Sequence, residues 1–397
     1  MLNISRRLKK SPESPATFSL ASPFPFAMTP RAKYIMIGGF LGAGKTTSVL
    51  RLARYLANQG QKVGIIMNDQ GAGLVDTALA EANQFPTEEI SGGCFCCRFN
   101  SLIEAAKQLT ADTRPDVIIS EPVGSCTDLV ATVSLPLQQI YGEQFDIAPL
   151  SVVVDAVRAR RVLGLDTGKK FSVNVTYIYK KQLEEAGVIV INKTDLVSAE
   201  ELQELSDVLE KDYPNAKVIR VASRHGHNLP TWFDHVIKES MQNTRTMEVD
   251  YDRYGEGEAL LGWLNVSANL EEMDGGEFDG NALLQHIAAD LRSQLAAQGA
   301  EIAHLKMILS ADPSGLELAA INCTRTDQKA ELSHTLADPI DSGELLINLR
   351  AEAAPEALDA AVTATLAGLK TKNIDSKLSH SEHFRPGQPV PTHRIVV

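Results

Sequence analysis

Long hydrophobic runs are absent from this chain of 397 residues, and no stretch of roughly 18 consecutive apolar residues occurs. A membrane-spanning helix needs about 20 such residues, so we expect no such helix and no membrane partner. Basic residues are also fewer than acidic ones: the chain has 38 Lys and Arg and 50 Asp and Glu, which gives a net charge of −12. An acidic chain without a basic block argues against nucleic acid as the main partner.

Cysteine is scarce and unevenly distributed, since three of the five cysteines lie within Cys94–Cys97. This odd, clustered set does not fit a disulfide framework, and a disulfide between the neighbours Cys96 and Cys97 would be strained. It suits a reducing compartment, so we predict a cytoplasmic protein. Thiolates select soft or borderline metal ions, and we predict a metal site at Cys94, Cys96 and Cys97. Redox chemistry and plain core packing are the alternatives.

The stretch from Gly39 to Thr46 fits the phosphate-binding pattern G-x-x-x-x-G-K-[ST]. Its glycines let successive backbone N–H groups point at phosphate oxygens. Lys45 would reach the β- and γ-phosphates, and the Thr46 hydroxyl would bind Mg²⁺. A buried-strand run precedes the loop, and a helical pattern over residues 47–58 follows, with its N-terminus toward the phosphates. The predicted phosphate contacts are Gly39, Gly42, Ala43, Gly44, Lys45, Thr46 and Thr47.

Continuous apolar strands alternate with helical segments as far as residue 240, and this alternation predicts an α/β fold. The fold is that of a P-loop NTPase with a mostly parallel sheet over residues 31–240. The predicted strands are residues 31–37, 63–67, 116–120, 150–154, 187–191 and 216–221.

The rest of the chain divides by composition. Residues 1–30 are predicted to be a disordered extension, with a transit peptide or a start at Met28 as alternatives. The polar segment 241–258 is predicted to be a linker. Residues 259–370 are predicted to form a smaller C-terminal α+β domain of ferredoxin-like type, with a helix over 281–297. Residues 371–397 are predicted to be an extended tail rich in Pro and His.

Asn192-Lys193-Thr194-Asp195 follows the fifth strand and predicts guanine recognition. The Asp195 carboxylate can accept hydrogen bonds from N1 and N2 of guanine, a donor pair that adenine lacks. Asn192 would hold the phosphate loop, the Lys193 stem would pack on the base, and the amide of Ser223 would lie behind it. The alternative is that Asp195 only caps a helix.

Two further acidic residues end strands at the same edge of the predicted sheet. Glu121 is predicted to hold Mg²⁺ directly or through water, and Gly124 to let the backbone approach the γ-phosphate. Asp69 is predicted to orient the attacking water or a water bound to Mg²⁺. Together with Lys45, Asp69 and Glu121 are the candidate catalytic residues. The alternatives are a solvated acid at a strand end and a capping Asp in a Gly-rich turn.

Taken together, these motifs resemble the CobW-type family of P-loop GTPases, relatives of the urease and hydrogenase nickel chaperones. The resemblance covers about residues 31–235 and rests on the phosphate loop, Asn68–Gly71, Cys94–Cys97, Glu121–Gly124, Val154–Ala156 and Asn192–Asp195. It implies Mg²⁺-dependent hydrolysis of GTP to GDP that drives delivery of a metal or cobalamin cofactor to a client, with Zn²⁺ or Co²⁺ at the cysteines. The client would be a metalloenzyme or corrinoid protein.

The chain also departs from the family pattern. Met67, Gln70 and Ala72 stand where zinc- and cobalt-handling members usually carry carboxylates, so we expect a site dominated by thiolates. These departures resemble a branch that serves corrinoid-dependent methyltransferases. No Arg finger is evident, so turnover should be slow until a partner or a homodimer completes the site. A metal-storage or metal-sensing protein with a structural nucleotide is the alternative function.

Overall fold

The computed structural model describes residues 31–70, 75, 85–242, 245–312 and 317–397. The extension predicted over residues 1–30 lies outside this part of the chain, and so do Gly71 and Ala72.

The N-terminal half is built on a parallel sheet of eight strands, as the apolar runs predict. Seven strands follow the order β3-β2-β4-β1-β6-β7-β8, β5 pairs with β1, and every pairing is parallel. The order places β1, which carries the phosphate loop, between β4 and β6. The strands are β1 Ala32–Gly38, β2 Val63–Asn68, β3 Thr87–Ile90, β4 Val117–Glu121, β5 Phe145–Ile147, β6 Ser151–Asp155, β7 Val188–Asn192 and β8 Lys217–Arg220.

Helices cover both faces of this sheet, which explains why its central strands are apolar at every position. One face packs on α1 and α7 through Leu52 and Trp232, and the other packs on α2 and α5 through Leu102 and Val175. The helices are α1 Lys45–Ala57, α2 Phe99–Asp112, α3 Leu135–Tyr141, α4 Ala156–Leu163, α5 Val173–Glu185, α6 Ala199–Asp212 and α7 Leu229–Lys238.

The segment predicted as a linker, 241–258, is partly helical in its described residues. Its second half belongs to α8, Tyr251–Leu260, which packs against α5. A Cβ atom at Gly257 would lie 2.7 Å from the carbonyl oxygen of Asn174 in α5, so glycine permits this close approach. Gly257 therefore marks a tight contact between helices in a segment that was predicted to be a linker.

The C-terminal half forms an antiparallel sheet of six strands in the order β12-β11-β10-β13-β9-β14. Two helices pack on one face of it through Leu284, Ile287 and Leu358. Strands β14-β9-β13-β10 with these helices have the ferredoxin-like order, and the β11–β12 hairpin extends one edge. The elements are β9 Leu261–Glu272, α9 Gly280–Ala297, β10 Glu301–Ser310, β11 Leu318–Cys323, β12 Glu331–His334, β13 Ser342–Glu352, α10 Pro355–Gly368 and β14 Ile374–Phe384.

The predicted tail, 371–397, is corrected in its first part, because β14 pairs with β9 along its whole length. Most side chains of β14 are exposed, and an edge strand of this kind lacks the apolar pattern that sequence analysis detects. In the part of the chain that the structure describes, no helix is both long and apolar enough to cross a membrane.

Candidate functional site

The phosphate loop leaves the end of β1 and leads into α1 in a tightly curved form. Gly44 has a φ of 97°, in the left-handed region. A Cβ atom there would lie 2.4 Å from Asn192 Nδ2, so both the backbone and the available space require glycine. The Asn192 amide donates to the Ala43 carbonyl oxygen at 2.8 Å. The end of β7 is therefore hydrogen-bonded to the loop where it curves.

The loop opens into a cavity of about 390 Å³. Gly39 and Ala43 do not line this cavity; a Cβ atom at Gly39 would meet the Val153 carbonyl oxygen at 2.1 Å, so this residue permits the packing of the loop on β6. The structure brings most of the predicted nucleotide and Mg²⁺ residues together around this one space. They are Gly42, Gly44, Lys45, Thr46, Thr47, Asp69, Glu121, Gly124, Asn192, Lys193, Asp195 and Ser223.

One end of the cavity combines a hydroxyl, a carboxylate and an ammonium group. Thr46 Oγ1 donates to Glu121 Oε1 at 3.1 Å, and Lys45 Nζ lies 3.9 Å from the same carboxylate oxygen. All three side chains are buried. Hydroxyl and carboxylate oxygens are the ligands that Mg²⁺ prefers, so the donor set fits this ion.

Another part of the cavity lining comes from the end of β7 and the loop after it. Asn192 Oδ1 accepts a hydrogen bond from the Ser223 amide at 2.9 Å, and Asp195 is exposed at the cavity rim. Ser223, predicted to lie behind the base, lines the cavity, and its amide holds Asn192. Lys193 Nζ donates to Asp155 Oδ2 at 2.7 Å and to the Gly42 carbonyl oxygen at 2.8 Å. The loop is thereby tied to the phosphate loop at two points.

Asp155 connects the same region to α4. Its carboxylate caps α4 by accepting from the Arg158 amide at 3.0 Å. Burial alone would raise the pKa of Asp155, but the positive charges of Lys193 and Arg325 outweigh it and hold the pKa well below its usual range. The carboxylate is therefore ionised at neutral pH and provides a fixed anchor for Lys193.

The second sheet forms a wall of the cavity, which the sequence analysis did not predict. Lys306 Nζ, from β10, donates to Thr46 Oγ1 at 3.3 Å. Arg350, from β13, is fully buried and lies 3.3 Å from Asp69. Its guanidinium also stacks on the Trp263 ring, 4.1 Å from the centroid. Burial and these positive neighbours lower the pKa of His304 well below its usual value, so its imidazole is neutral. A charged side chain within an otherwise apolar strand is the sequence signal that could have identified these residues.

The cysteine cluster lies beside this cavity and not in it. The Cys94 sulfur is 2.9 Å from that of Cys96 and 3.3 Å from that of Cys97, and Cys96 and Cys97 are 3.6 Å apart. These distances far exceed a disulfide bond, and all five cysteines are free thiols. The three sulfurs can converge on one ion, and their softness fits Zn²⁺ or Co²⁺.

Hydrogen bonding among the thiols separates their proton affinities. Hydrogen bonds from Cys126, Cys96 and Cys97 lower the pKa of Cys94 well below its usual value. The same bond to Cys94 raises the pKa of Cys97 to about 11. Cys94 is therefore the first thiol of the cluster to become a thiolate, which is the form that binds metal.

Asn68 connects the cysteine cluster to the cavity. Its side-chain amide donates to the carbonyl oxygens of Ile90 and Gly93 at 2.9 and 2.8 Å, and its oxygen accepts from the Phe95 amide at 2.9 Å. The next residue, Asp69, lines the cavity and contacts Arg350. Neighbouring residues at the end of β2 thus hold the cysteine loop and face the nucleotide cavity.

The end of the chain covers the cysteines. We call residues 390–397 the C-terminal strap. The Val390 amide donates to Cys97 Sγ at 3.3 Å, and the Thr392 amide donates to the Cys96 carbonyl oxygen at 2.8 Å. Arg394 then pairs with the buried Asp128 at 2.7 Å. The strap therefore lies against the cysteine loop, where Cys94 and Cys96 are buried and Cys97 is partly exposed.

The parallel strand order, the phosphate loop between β1 and α1, and the cavity above them define a P-loop nucleotide-binding domain. Residues 33–220 match the family model described as "CobW/HypB/UreG, nucleotide-binding domain". This match, over a little under half of the chain, agrees with the resemblance seen in the sequence.

Curated relatives match a little under half of the chain. Zinc chaperone YeiR of Escherichia coli is 28% identical over 194 residues, which cover 48% of this chain and 55% of the relative. Zinc chaperone CobW of Sinorhizobium sp is 31% identical over 193 residues, covering 43% and 53%. Zinc-regulated GTPase metalloprotein activator 1 of Dictyostelium discoideum is 27% identical over 219 residues, covering 47% and 44%. The chain spans about half the length of these relatives.

Solved structures give weaker matches. Zn(II)-bound YjiA GTPase from E. coli aligns with 85% of this chain and 99% of its own, at 17% identity and a TM-score of 0.37. HypB from Helicobacter pylori in complex with nickel aligns with 55% and 92%, at 16% identity and a TM-score of 0.40.

Proposed function

We propose that this protein is a Mg²⁺-dependent GTPase that acts as a metallochaperone, a carrier that delivers a metal to a client enzyme. The observation that carries the proposal is the pair Asn68 and Asp69. The first side chain holds the cysteine loop, and the second lines the nucleotide cavity, so nucleotide and metal would act on neighbouring residues.

The nucleotide would lie across the cavity with its phosphates on the loop and its guanine at Asp195. Thr46 and Glu121 would hold Mg²⁺, which supplies charge neutralisation at the phosphates. Lys45 would contact the β- and γ-phosphates, and Asp69 would hold the attacking water once it is released from Arg350. Lys306 would add a second positive charge near the γ-phosphate from within the same chain. A homodimer is then not needed to supply that charge.

The cysteine cluster would hold the cargo metal, Zn²⁺ or Co²⁺. Relatives named as zinc chaperones support zinc as the first metal to test. The client would be a metalloenzyme or corrinoid protein, with corrinoid-dependent methyltransferases as the finer proposal. Cytoplasmic location, which the unpaired thiols favour, also stays part of the proposal.

Storage or sensing of metal is the second candidate function, and one observation favours it. Cys94 and Cys96 are buried, and the C-terminal strap lies across the cluster. A storage protein would hold metal without turnover. Steady release of phosphate from GTP by the purified protein would support the first function, and binding of GTP without hydrolysis would support the second.

We expect Asp195→Asn to weaken guanine binding, because an amide cannot accept both hydrogen bonds from N1 and N2. Loss of a charge-assisted pair is worth roughly 1.5–3 kcal/mol, or about 10- to 150-fold in Kd. The measurement is calorimetric titration with GDP, ADP and xanthosine diphosphate, the last of which the variant should bind better. Asp207→Asn, at an exposed position on α6, is the matched control. Equal affinity of the native protein for GTP and ATP would contradict the assignment.

We also expect the metal and the nucleotide to be coupled. Zn²⁺ and Co²⁺ would be titrated into the GDP-bound protein and into a complex with a non-hydrolysable GTP analogue. A difference of about 5- to 150-fold in metal Kd is expected, and the metal must change the affinity for the analogue by the same factor. Cys96→Ala should abolish the difference. If the metal affinity is identical in both nucleotide states and Cys96→Ala does not change it, the metallochaperone proposal is wrong.

A further inference from the structure

Two buried nitrogen atoms on the second sheet have no hydrogen-bond partner among the described residues. They are Nε2 of His304, on β10, and Nε1 of Trp263, on β9, and the two residues are 6% and 0% exposed. Both residues line the nucleotide cavity. A buried polar group in a folded protein nearly always pairs with protein, water or a ligand. These two nitrogens therefore indicate that a polar group occupies the cavity beside them.

The two residues belong to one row of side chains that crosses the second sheet. His304 is paired with Arg350 on β13, and Arg350 is paired with Trp263 on its other side. Paired residues of antiparallel strands point to the same face of the sheet. Adjacent residues of each strand point the other way and pack in the apolar core under the helices; they are Leu264, Leu305 and Leu349. The row therefore faces the nucleotide-binding domain.

Strand β10 places His304 against the phosphate loop. A Cβ atom at Gly42 would lie 2.8 Å from the Ala303 carbonyl oxygen, so the strand touches the loop at this point. Further along β10, Lys306 Nζ donates to Thr46 Oγ1 at 3.3 Å. His304 lies between these two contacts and shares its face of the sheet with Lys306. The imidazole is therefore held beside the part of the loop that would carry the phosphates.

The surroundings of His304 suit a negatively charged oxygen ligand. Positive side chains reach the same region from three elements: Lys45 from the phosphate loop, Lys306 from β10 and Arg350 from β13. Burial and these charges lower the pKa of His304, so its imidazole is neutral and carries one N–H donor. A neutral donor among cations can contact an anion without adding to the repulsion between the cations. Phosphoryl oxygens are acceptors of this kind.

We propose that His304 donates a hydrogen bond from Nε2 to the γ-phosphate of GTP, so that the second sheet distinguishes GTP from GDP. This inference rests on the proposed function, because GTP must be the ligand of the cavity. It adds a residue that contacts only the third phosphate, whereas Lys45 would contact the β-phosphate as well. His304 thus determines specificity for the nucleotide state, and Lys306 keeps its role in stabilising charge during hydrolysis.

Two other partners of the imidazole lead to different results. An ordered water molecule held between His304 and the cavity wall would be present with GTP and GDP alike. The attacking water could instead donate to Nε2, in which case His304 would act as a general base. Loss of the imidazole would then lower kcat and leave the affinity for a GTP analogue unchanged. Binding of GDP and of the analogue therefore distinguishes the three partners.

The first test is calorimetric titration of the full-length protein, in Mg²⁺, with GDP and with a non-hydrolysable GTP analogue. His304→Phe keeps a ring and removes both nitrogens. Its affinity for the analogue should fall about 10- to 150-fold, the range for a hydrogen bond to a charged group. Its affinity for GDP should stay native, because GDP lacks the γ-phosphate.

Two further variants serve as rescue and control. His304→Gln can place an amide N–H near the position of Nε2, so it should recover most of the affinity for the analogue. His286→Phe removes an exposed histidine of α9 and should behave like the native protein. Thermal unfolding curves show whether each variant folds.

The second test observes the imidazole directly and needs no folded His304→Phe. The chain has nine histidines, and nitrogen NMR of histidine-labelled protein identifies the His304 signals by their loss in His304→Gln. The Nε2 signal of the native protein should shift when the GTP analogue replaces GDP, because its N–H gains a charged acceptor. The same signal in both nucleotide states would overturn the inference.

Two binding results would also overturn it while leaving the GTPase proposal intact. An equal loss of affinity for GDP and the analogue in His304→Phe would mean that His304 only supports the cavity wall. Native affinity for the analogue with reduced kcat would assign the imidazole to the attacking water. Failure of the native protein to bind GTP would instead overturn the proposed function, and the role of His304 with it.

Discussion

Lys45→Ala is expected to abolish GTP turnover. The ammonium group is the proposed contact to the β- and γ-phosphates, and its position 3.9 Å from Glu121 Oε1 keeps it near the Mg²⁺ ligands. GTP binding should weaken by roughly 1.5–3 kcal/mol, or about 10- to 150-fold, because one charge-assisted contact is lost. The chemical step should suffer more, since the same charge stabilises the transferring phosphoryl group.

Phosphate release and nucleotide affinity must be measured on the same preparation. Lys211→Ala removes an exposed lysine at the end of α6 and serves as the matched control for loss of one positive charge. An unfolding curve excludes loss of structure as the cause. Native turnover in Lys45→Ala would show that the phosphate loop does not perform the hydrolysis.

The elements that can be predicted best from the sequence are strands buried on both faces of the sheet. Six strands of the parallel sheet, five interior ones and the edge strand β8, appear as apolar runs, and the structure has them within a residue or two of the predicted bounds. β3 and β12 were missed because their residues are mostly polar, and of the two strands only Ile90 is buried. β5 has only three residues, too few to give a pattern. Local composition thus indicates which strands are buried, and strands that bury few side chains are hard to detect from it.

The residues of the candidate site also fall into two groups, those in contiguous motifs and those brought in from distant segments. The phosphate loop, the guanine segment and the cysteine cluster are contiguous motifs whose chemistry can be read locally. Lys306 and Arg350 come from the second sheet and reach Thr46 and Asp69 across more than half of the chain. No short-range spacing connects them. The role of Asn68 in holding the cysteine loop could likewise not be predicted from the sequence, because it depends on the pairing of β2 with β3.

Lys306→Met is expected to lower kcat for GTP hydrolysis by roughly 10²–10³-fold, in the range found when one fixed electrostatic contact to a transition state is removed. Its ammonium group already lies 3.3 Å from Thr46 Oγ1, within the cavity that contains Lys45. Charge develops on the phosphoryl oxygens mainly in the transition state, so KM should change much less than kcat.

Three further variants separate this role from a structural one. Lys306→Arg keeps the positive charge and should recover a large part of kcat, whereas Lys329→Met, at an exposed position after β11, should behave like the native protein. Arg350→Lys tests the neighbouring ion pair with Asp69 and should change the position of Asp69 without removing charge from the Mg²⁺ end. If Lys306→Met keeps native kcat while Lys45→Ala loses it, the second sheet only encloses the nucleotide, and a partner protein must supply the missing charge. If kcat falls in Lys306→Met and returns in Lys306→Arg, the chain carries its own activating cation, and turnover depends on how closely the second sheet packs on the phosphate loop.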